Sequence, residues 1–140
     1  MNKTLSEVSD RALLEEYVGR FGMAKGNPFN NAQQVARHLQ GLLGGERRET
    51  FVALYLTQKN MLIDSEVLFT GTVNQASVYP REVVRSALLN DASNVICGHN
   101  HPSGNIKPSK DDLEITRKLK GALELLDITL LDHVIIGGDK

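Results

Sequence analysis

Apolar and polar positions follow two different periods along this chain. Leu14, Tyr17, Val18 and Phe21 recur at helical spacing, and after the turn-rich stretch GMAKGNPFNN so do Val35, Leu39, Leu42 and Leu43. Gly22 and the pair Gly44-Gly45 follow these two runs as stops. From Glu49 the period changes. In ETFVALYL the residues of both parities are apolar, which suits a strand buried on both faces. TQKN reads as a tight turn and MLIDSEVLFTGTV as a second strand, so the two form a β-hairpin. YPREVVRSALLND returns to helical spacing, with Val83, Val84, Ala87 and Leu88 on its apolar face and Pro80 in the first turn, where a missing N–H is harmless. NVICG is a short buried strand. SKDDLEITRKLKGALELL is a helix with Ile115, Leu119, Ala122 and Leu126 on one face, and ITLLDHVIIGG is a last strand. The order α-α-β-β-α-β-α-β predicts an α/β (α+β) fold, a mixed β-sheet flanked by helices. A helical N-terminal segment, residues 1–44, precedes the sheet-forming part, residues 45–140.

Composition narrows the class. A chain of 140 residues with 41% hydrophobic residues can bury a core as one domain without covalent staples. The 16 basic and 17 acidic residues leave a net charge of -1, which is no broad footprint for nucleic acid. The lone cysteine, Cys97, excludes an intramolecular disulfide and suits a reducing cytosol. The opening MNKTLSEVSDRALLEEY has no apolar run of the signal-peptide kind, and no stretch is apolar for long enough to span a membrane. A cytoplasmic protein is expected.

The candidate chemistry lies in HNHPSGNIKPSKDD, residues 99–112. Residues i and i+2 on a strand share a face, so His99 and His101 at the end of NVICG can reach one ion. The loop through Pro102, Gly104 and Pro108 can fold back and set Asp112, in the first turn of the next helix, beside them. Two nitrogens and one carboxylate oxygen suit zinc, and three protein ligands leave a fourth position for water, as in catalytic rather than structural sites. SKDD also reads as a capping box, Ser109 at the N-cap and Asp112 three residues on, with Asp111 and Asp112 complementing the helix dipole.

His99-x-His101-Pro102 followed by Ser109-x-x-Asp112 resembles the JAMM (MPN+) zinc-hydrolase motif, whose members include isopeptidases that remove ubiquitin-like tags. HNHPSG, the preceding VYPREVV and the later LLDHVIIG resemble the bacterial RadC-type (UPF0758) branch, over residues 45 to 138. The resemblance implies a cytidine-deaminase-like fold and one zinc per chain, held by His99, His101 and Asp112. It also implies that Ser109 hydrogen-bonds the reacting oxygen. A general base is needed as well, and a carboxylate near the metal is the usual choice. Glu49, at the start of the first strand, and Glu66, within the second, both qualify. The family pattern sets its glutamate just before the first long apolar strand, which favours Glu49.

Other residues have plainer readings. Cys97 shares strand parity with the histidines and could be a fourth ligand, but a small buried side chain is the simpler expectation. His133 could support a ligand from outside, although a hydrogen-bonded histidine near the core is the default. His38 is expected on the surface, and Arg47, Arg48, Lys107 and Lys110 are expected to be solvated charges. A peptide or protein substrate follows from the hydrolase reading. The rival is a DNA-associated accessory protein with a non-catalytic metal site, for which the charge balance gives little support. RadC-type chains run further than GGDK, so a last piece of sheet edge is expected to be absent or supplied by a neighbour. An exposed edge there would pair with a second copy, as a homodimer, or with a peptide.

Overall fold

A computed structural model describes residues 32–71 and 77–137. Its elements are α1 (Ala32–Leu43), β1 (Thr50–Leu56), β2 (Leu62–Thr70), α2 (Pro80–Leu89), β3 (Asn94–Asn100), α3 (Lys110–Glu124) and β4 (Thr129–Ile136). The helix expected around Leu14 to Phe21 lies outside the described residues. The strands form one sheet in the order β2-β1-β3-β4. β1 runs antiparallel to β2 and β3, whereas β3 and β4 are parallel, joined through α3. This is the expected mixed sheet flanked by helices.

β1 explains the layering. All seven of its residues are buried. Phe51, Ala53 and Tyr55 join Val95, Cys97, Val83, Ala87, Ile115 and Leu119 in a core under α2 and α3. Val52, Leu54 and Leu56 join Ile96, Val35, Leu39 and Leu43 in a second core under α1. A strand between two helical layers needs apolar residues of both parities, and ETFVALYL supplies them. The hairpin to β2 turns through Thr57–Asn60, with Asn60 at φ 65 and Thr57 exchanging backbone hydrogen bonds with Asn60 and Met61 at 2.9 Å. α1 sits close over β3: a Cβ at Gly98 would lie 2.8 Å from both Leu39 methyls, so any larger residue there would push the helix away.

Three expectations about packing need correction. His38 is not on the surface; it is 3% exposed. It stands three residues after Val35 and four before Leu42, on the same stripe of α1 that faces the sheet. Burial depresses its pKa to about 4, so the ring is neutral at pH 7. On α2, Leu88 is exposed and only Val83 and Ala87 are buried. On α3, the helix ends at Glu124, so Leu126 falls outside it and Leu123 takes the inward position.

Candidate metal centre

β3 carries its strand geometry two residues past NVICG, through His99 and Asn100. His99 pairs with Phe51 of β1 and shares the α2/α3 face with Cys97. It is fully buried. His101 follows just beyond the strand and is tied to β4 by His101 N–H donating to the Ile136 carbonyl at 2.8 Å. The next residues turn back: Gly104 N–H donates to the His101 carbonyl at 2.9 Å, with Gly104 at φ 89. Glycine occupies that left-handed conformation without strain. The turn delivers the Asn105 carbonyl to His101 Nδ1 at 2.7 Å.

Asp112 arrives from the other side, at the start of α3. The capping box is complete: Asp112 N–H donates to Ser109 Oγ at 3.0 Å, and Ser109 N–H donates to Asp112 Oδ2 at 2.8 Å. The cap and the metal-site reading are therefore compatible, because the cap fixes where the carboxylate points. Asp112 Oδ1 lies 3.1 Å from His99 Nε2, and Oδ2 lies 3.1 Å from His101 Nε2. The two Nε2 atoms are 2.9 Å apart. Burial on its own would raise the Asp112 carboxyl, but the Ser109 hydrogen bonds and the adjacent histidines outweigh it and hold the group below its usual range.

The donor set fits a cation. A carbonyl only accepts, so His101 carries its hydrogen on Nδ1 and its neutral ring has a bare Nε2. His99 Nδ1 meets His133 Nε2 at 2.9 Å, leaving its Nε2 turned to the same point. Burial first, then His133, depresses the His99 pKa to about 4, so the His99 ring is neutral at pH 7. Two imidazole nitrogens and two carboxylate oxygens thus converge, a set of donors that suits a cation. Bonds of about 2.0 Å in a zinc tetrahedron give edges of about 3.3 Å, a few tenths longer than the separations here. Among the described residues, His99, His101 and Asp112 form the group able to hold a metal. Cys97 stays outside it as a buried thiol, pushed up to about 12 by burial, which matches the small-core reading.

Residues 29–140 match the RadC-like JAB domain family. The chain belongs to that family. It is 52% identical over 111 residues to a UPF0758 protein of Pseudoalteromonas translucida, covering 79% of this chain and 50% of that protein. A UPF0758 protein of Janthinobacterium sp. is 46% identical over 132 residues, covering 94% of this chain and 56% of the relative. One from Stenotrophomonas maltophilia is 53% identical over 108 residues, covering 77% and 46%. The chain spans about half the length of the curated relatives it matches.

Within this RadC-like domain the two candidate bases stand in different places. Glu49 immediately precedes β1 and is half-buried. Phe51↔His99 is the outermost pair of the β1–β3 ladder, so Glu49 lies two residues beyond it, at the His99 end of the sheet. Its charge is close enough to favour the protonated form of the His99 ring. Glu66 is two strands away from His99, opposite Ala53, and accepts a hydrogen bond from Tyr55 O–H at 2.7 Å. Burial and that hydrogen bond push the Tyr55 phenol well above its usual range.

Asn100 was passed over as the spacer of H-x-H, yet it ties the Glu49 segment to β3. It is fully buried, on the opposite sheet face from His99. Its Oδ1 accepts from Thr50 N–H at 2.7 Å, and its Nδ2 donates to the carbonyls of Arg48 at 3.1 Å and Glu46 at 3.3 Å. One amide thus clamps the backbone on both sides of Glu49. A polar side chain between two core-facing neighbours had to find such partners, and that was the available signal. Arg47, Arg48, Lys107 and Lys110 are exposed, as expected. A cleft of ≈280 Å³ between α3 and β4 runs beside Asp112 and His133, with Leu113, Leu130 and Ile135 among its apolar walls.

Proposed function

We propose that this RadC-like domain is a zinc-dependent hydrolase of peptide or isopeptide bonds, acting in the cytoplasm. The observation that carries the reading is the convergence of two imidazole Nε2 atoms and a capped carboxylate on one point. Zinc bound by His99, His101 and Asp112 would supply a Lewis acid for the scissile carbonyl and acidify water toward neutrality. Glu49 takes a proton from the attacking water and passes it to the leaving amine. Its place at the strand end by His99 supports that assignment over Glu66, which is engaged by Tyr55. Ser109 Oγ accepts the Asp112 N–H and still has its own hydrogen, which it offers to the oxyanion. A peptide or protein segment is the substrate, and the apolar cleft beside Asp112 receives one of its side chains.

The test is Glu49→Gln. Replacing a general base lowers turnover by about 100- to 10,000-fold, while zinc content stays at the wild-type level because Glu49 is not a ligand. Peptidase assays paired with metal analysis of the same preparations check both halves. Turnover at the wild-type rate in Glu49→Gln would remove Glu49 from the mechanism.

A further inference from the structure

Leu130 and His133 are three residues apart on β4, so in an unbroken strand their side chains would leave from opposite faces. They do not. Leu130 pairs with Val95 and His133 pairs with Cys97, and both partners belong to the core under α2 and α3. The register shift between Val95 and Ile96 passes over Leu131, an extra residue on β4. Without that bulge His133 would pair with Gly98 and face α1. The bulge turns His133 toward the metal centre instead.

There His133 joins a hydrogen-bonded chain whose every proton is assigned. Thr116 Oγ1 lies 2.8 Å from the Asp112 carbonyl oxygen and 2.5 Å from His133 Nδ1. A carbonyl only accepts, so the single Thr116 hydrogen goes to Asp112. Thr116 Oγ1 can then only accept from His133, which therefore carries its hydrogen on Nδ1. With its one hydrogen on Nδ1, the neutral His133 ring has a bare Nε2. His99 must donate to that atom through Nδ1, across 2.9 Å, and its own Nε2 is left bare toward Asp112. The chain starts and ends on one residue: the Asp112 backbone carbonyl sets the Thr116 hydroxyl, and the Asp112 carboxylate faces the nitrogen that results.

We propose that His133, itself set by Thr116, is a positioning residue that selects the His99 tautomer with a bare Nε2 and so readies the centre for a metal before one binds. This rests on the reading of His99 as a metal ligand. It goes beyond that reading by giving the final strand and the third helix a part in ligand preparation. A histidine ligand commonly donates its other ring N–H to a carbonyl or carboxylate. Here the acceptor is a second histidine, which can offer either a lone pair or an N–H, so it needs Thr116 to set its own tautomer.

Two measurements on the metal-free protein and its variants test this. Long-range proton–nitrogen spectra of the histidine rings report which nitrogen is protonated, and zinc titration reports affinity. In the wild type, His99 and His133 should both show a protonated Nδ1 and a bare Nε2. Thr116→Val keeps the shape and removes the hydroxyl; the Nε2–H form of His99 should appear, and zinc affinity should fall about 10- to 100-fold. Thr116→Ser should restore both. His133→Gln, which still offers an acceptor oxygen, should bind zinc more tightly than His133→Leu, and that pair decides the matter if Thr116→Val does not fold by circular dichroism. A wild-type His99 protonated on Nε2 would overturn the proposal. So would unchanged tautomers in Thr116→Val, whether or not affinity falls. The ring spectra are recorded without metal, so a wild-type chain with the expected tautomers that takes up no zinc contradicts the hydrolase function and leaves the hydrogen-bond chain standing.

Discussion

The two sides of this centre are built differently. On the side of the proposed ligands, His99, His101 and Asp112 come from one 14-residue stretch, lie largely out of solvent, and are each hydrogen-bonded by neighbouring groups. On the side of the proposed base, Glu49 comes from fifty positions before His99 and is half-exposed. Through Asn100, β3 holds the backbone on both sides of it. Metal ligands need fixed lone pairs at fixed distances, whereas a general base must gain and lose a proton and stay within reach of water. The division matches the two tasks: rigid electrostatics for binding, a held but wetter carboxylate for proton transfer.

Substitutions on each side should therefore fail in different ways. Asp112→Asn should have the largest effect. The amide oxygen can still accept the Ser109 N–H, so α3 stays capped, but the charge is lost, and zinc affinity should drop more than the roughly 100-fold expected for a residue that merely supports a ligand. Calorimetric titration with zinc measures this; an affinity close to wild type would erase the distinction between the two sides. Asn100→Ala should do the opposite. It strands a backbone N–H and loosens two carbonyls around Glu49, at about 1–3 kcal/mol of stability, and lowers turnover while zinc content holds. Denaturant melts and metal analysis check it; loss of zinc with full stability would mean that Asn100 belongs to the ligand side after all.

A smaller effect comes from pH. His38 lies on α1, on the same sheet face as Asn100, and its pKa of about 4 is below the 6.5 of an exposed histidine. Between those values the unfolded chain binds a proton that the folded chain refuses. Stability from this residue is thus full above pH 6.5 and is lost as pH falls toward 4, by at most about 3 kcal/mol. His38→Leu should flatten part of the acid loss in metal-free protein, the remainder belonging to His99 and His133 on the other face. Thermal melts of both proteins from pH 7 to 4 measure the difference; superimposable pH profiles would show that the buried His38 ring does not limit α1.

Much of this was legible in the sequence, for physical reasons that also explain the gaps. Apolar residues of both parities mark β1 as a strand between two layers, and the ligand motif is compact enough that one strand end, one turn and one helix start determine it. Glu49 is singled out over Glu66 only by resemblance, because its approach to His99 depends on the antiparallel pairing of β1 with β3. His133 was read as a histidine near the core. That holds, since both ring nitrogens are hydrogen-bonded, but its partner His99 depends on a bulge that changes which face it occupies. The double leucine Leu130-Leu131 is the trace of that bulge in the sequence. The expected exposure of His38 fails because the stripe of α1 that faces the sheet admits a neutral imidazole among its aliphatic residues.

Zinc stoichiometry by elemental mass spectrometry, on the purified wild type beside His99→Ala and His101→Ala, is the most direct test of the centre. One zinc per wild-type chain is expected, falling to background in both variants while circular dichroism shows the fold retained. A wild-type chain that takes up no zinc when it is supplied, or variants that keep the full complement, would contradict the metal centre and the hydrolase function built on it.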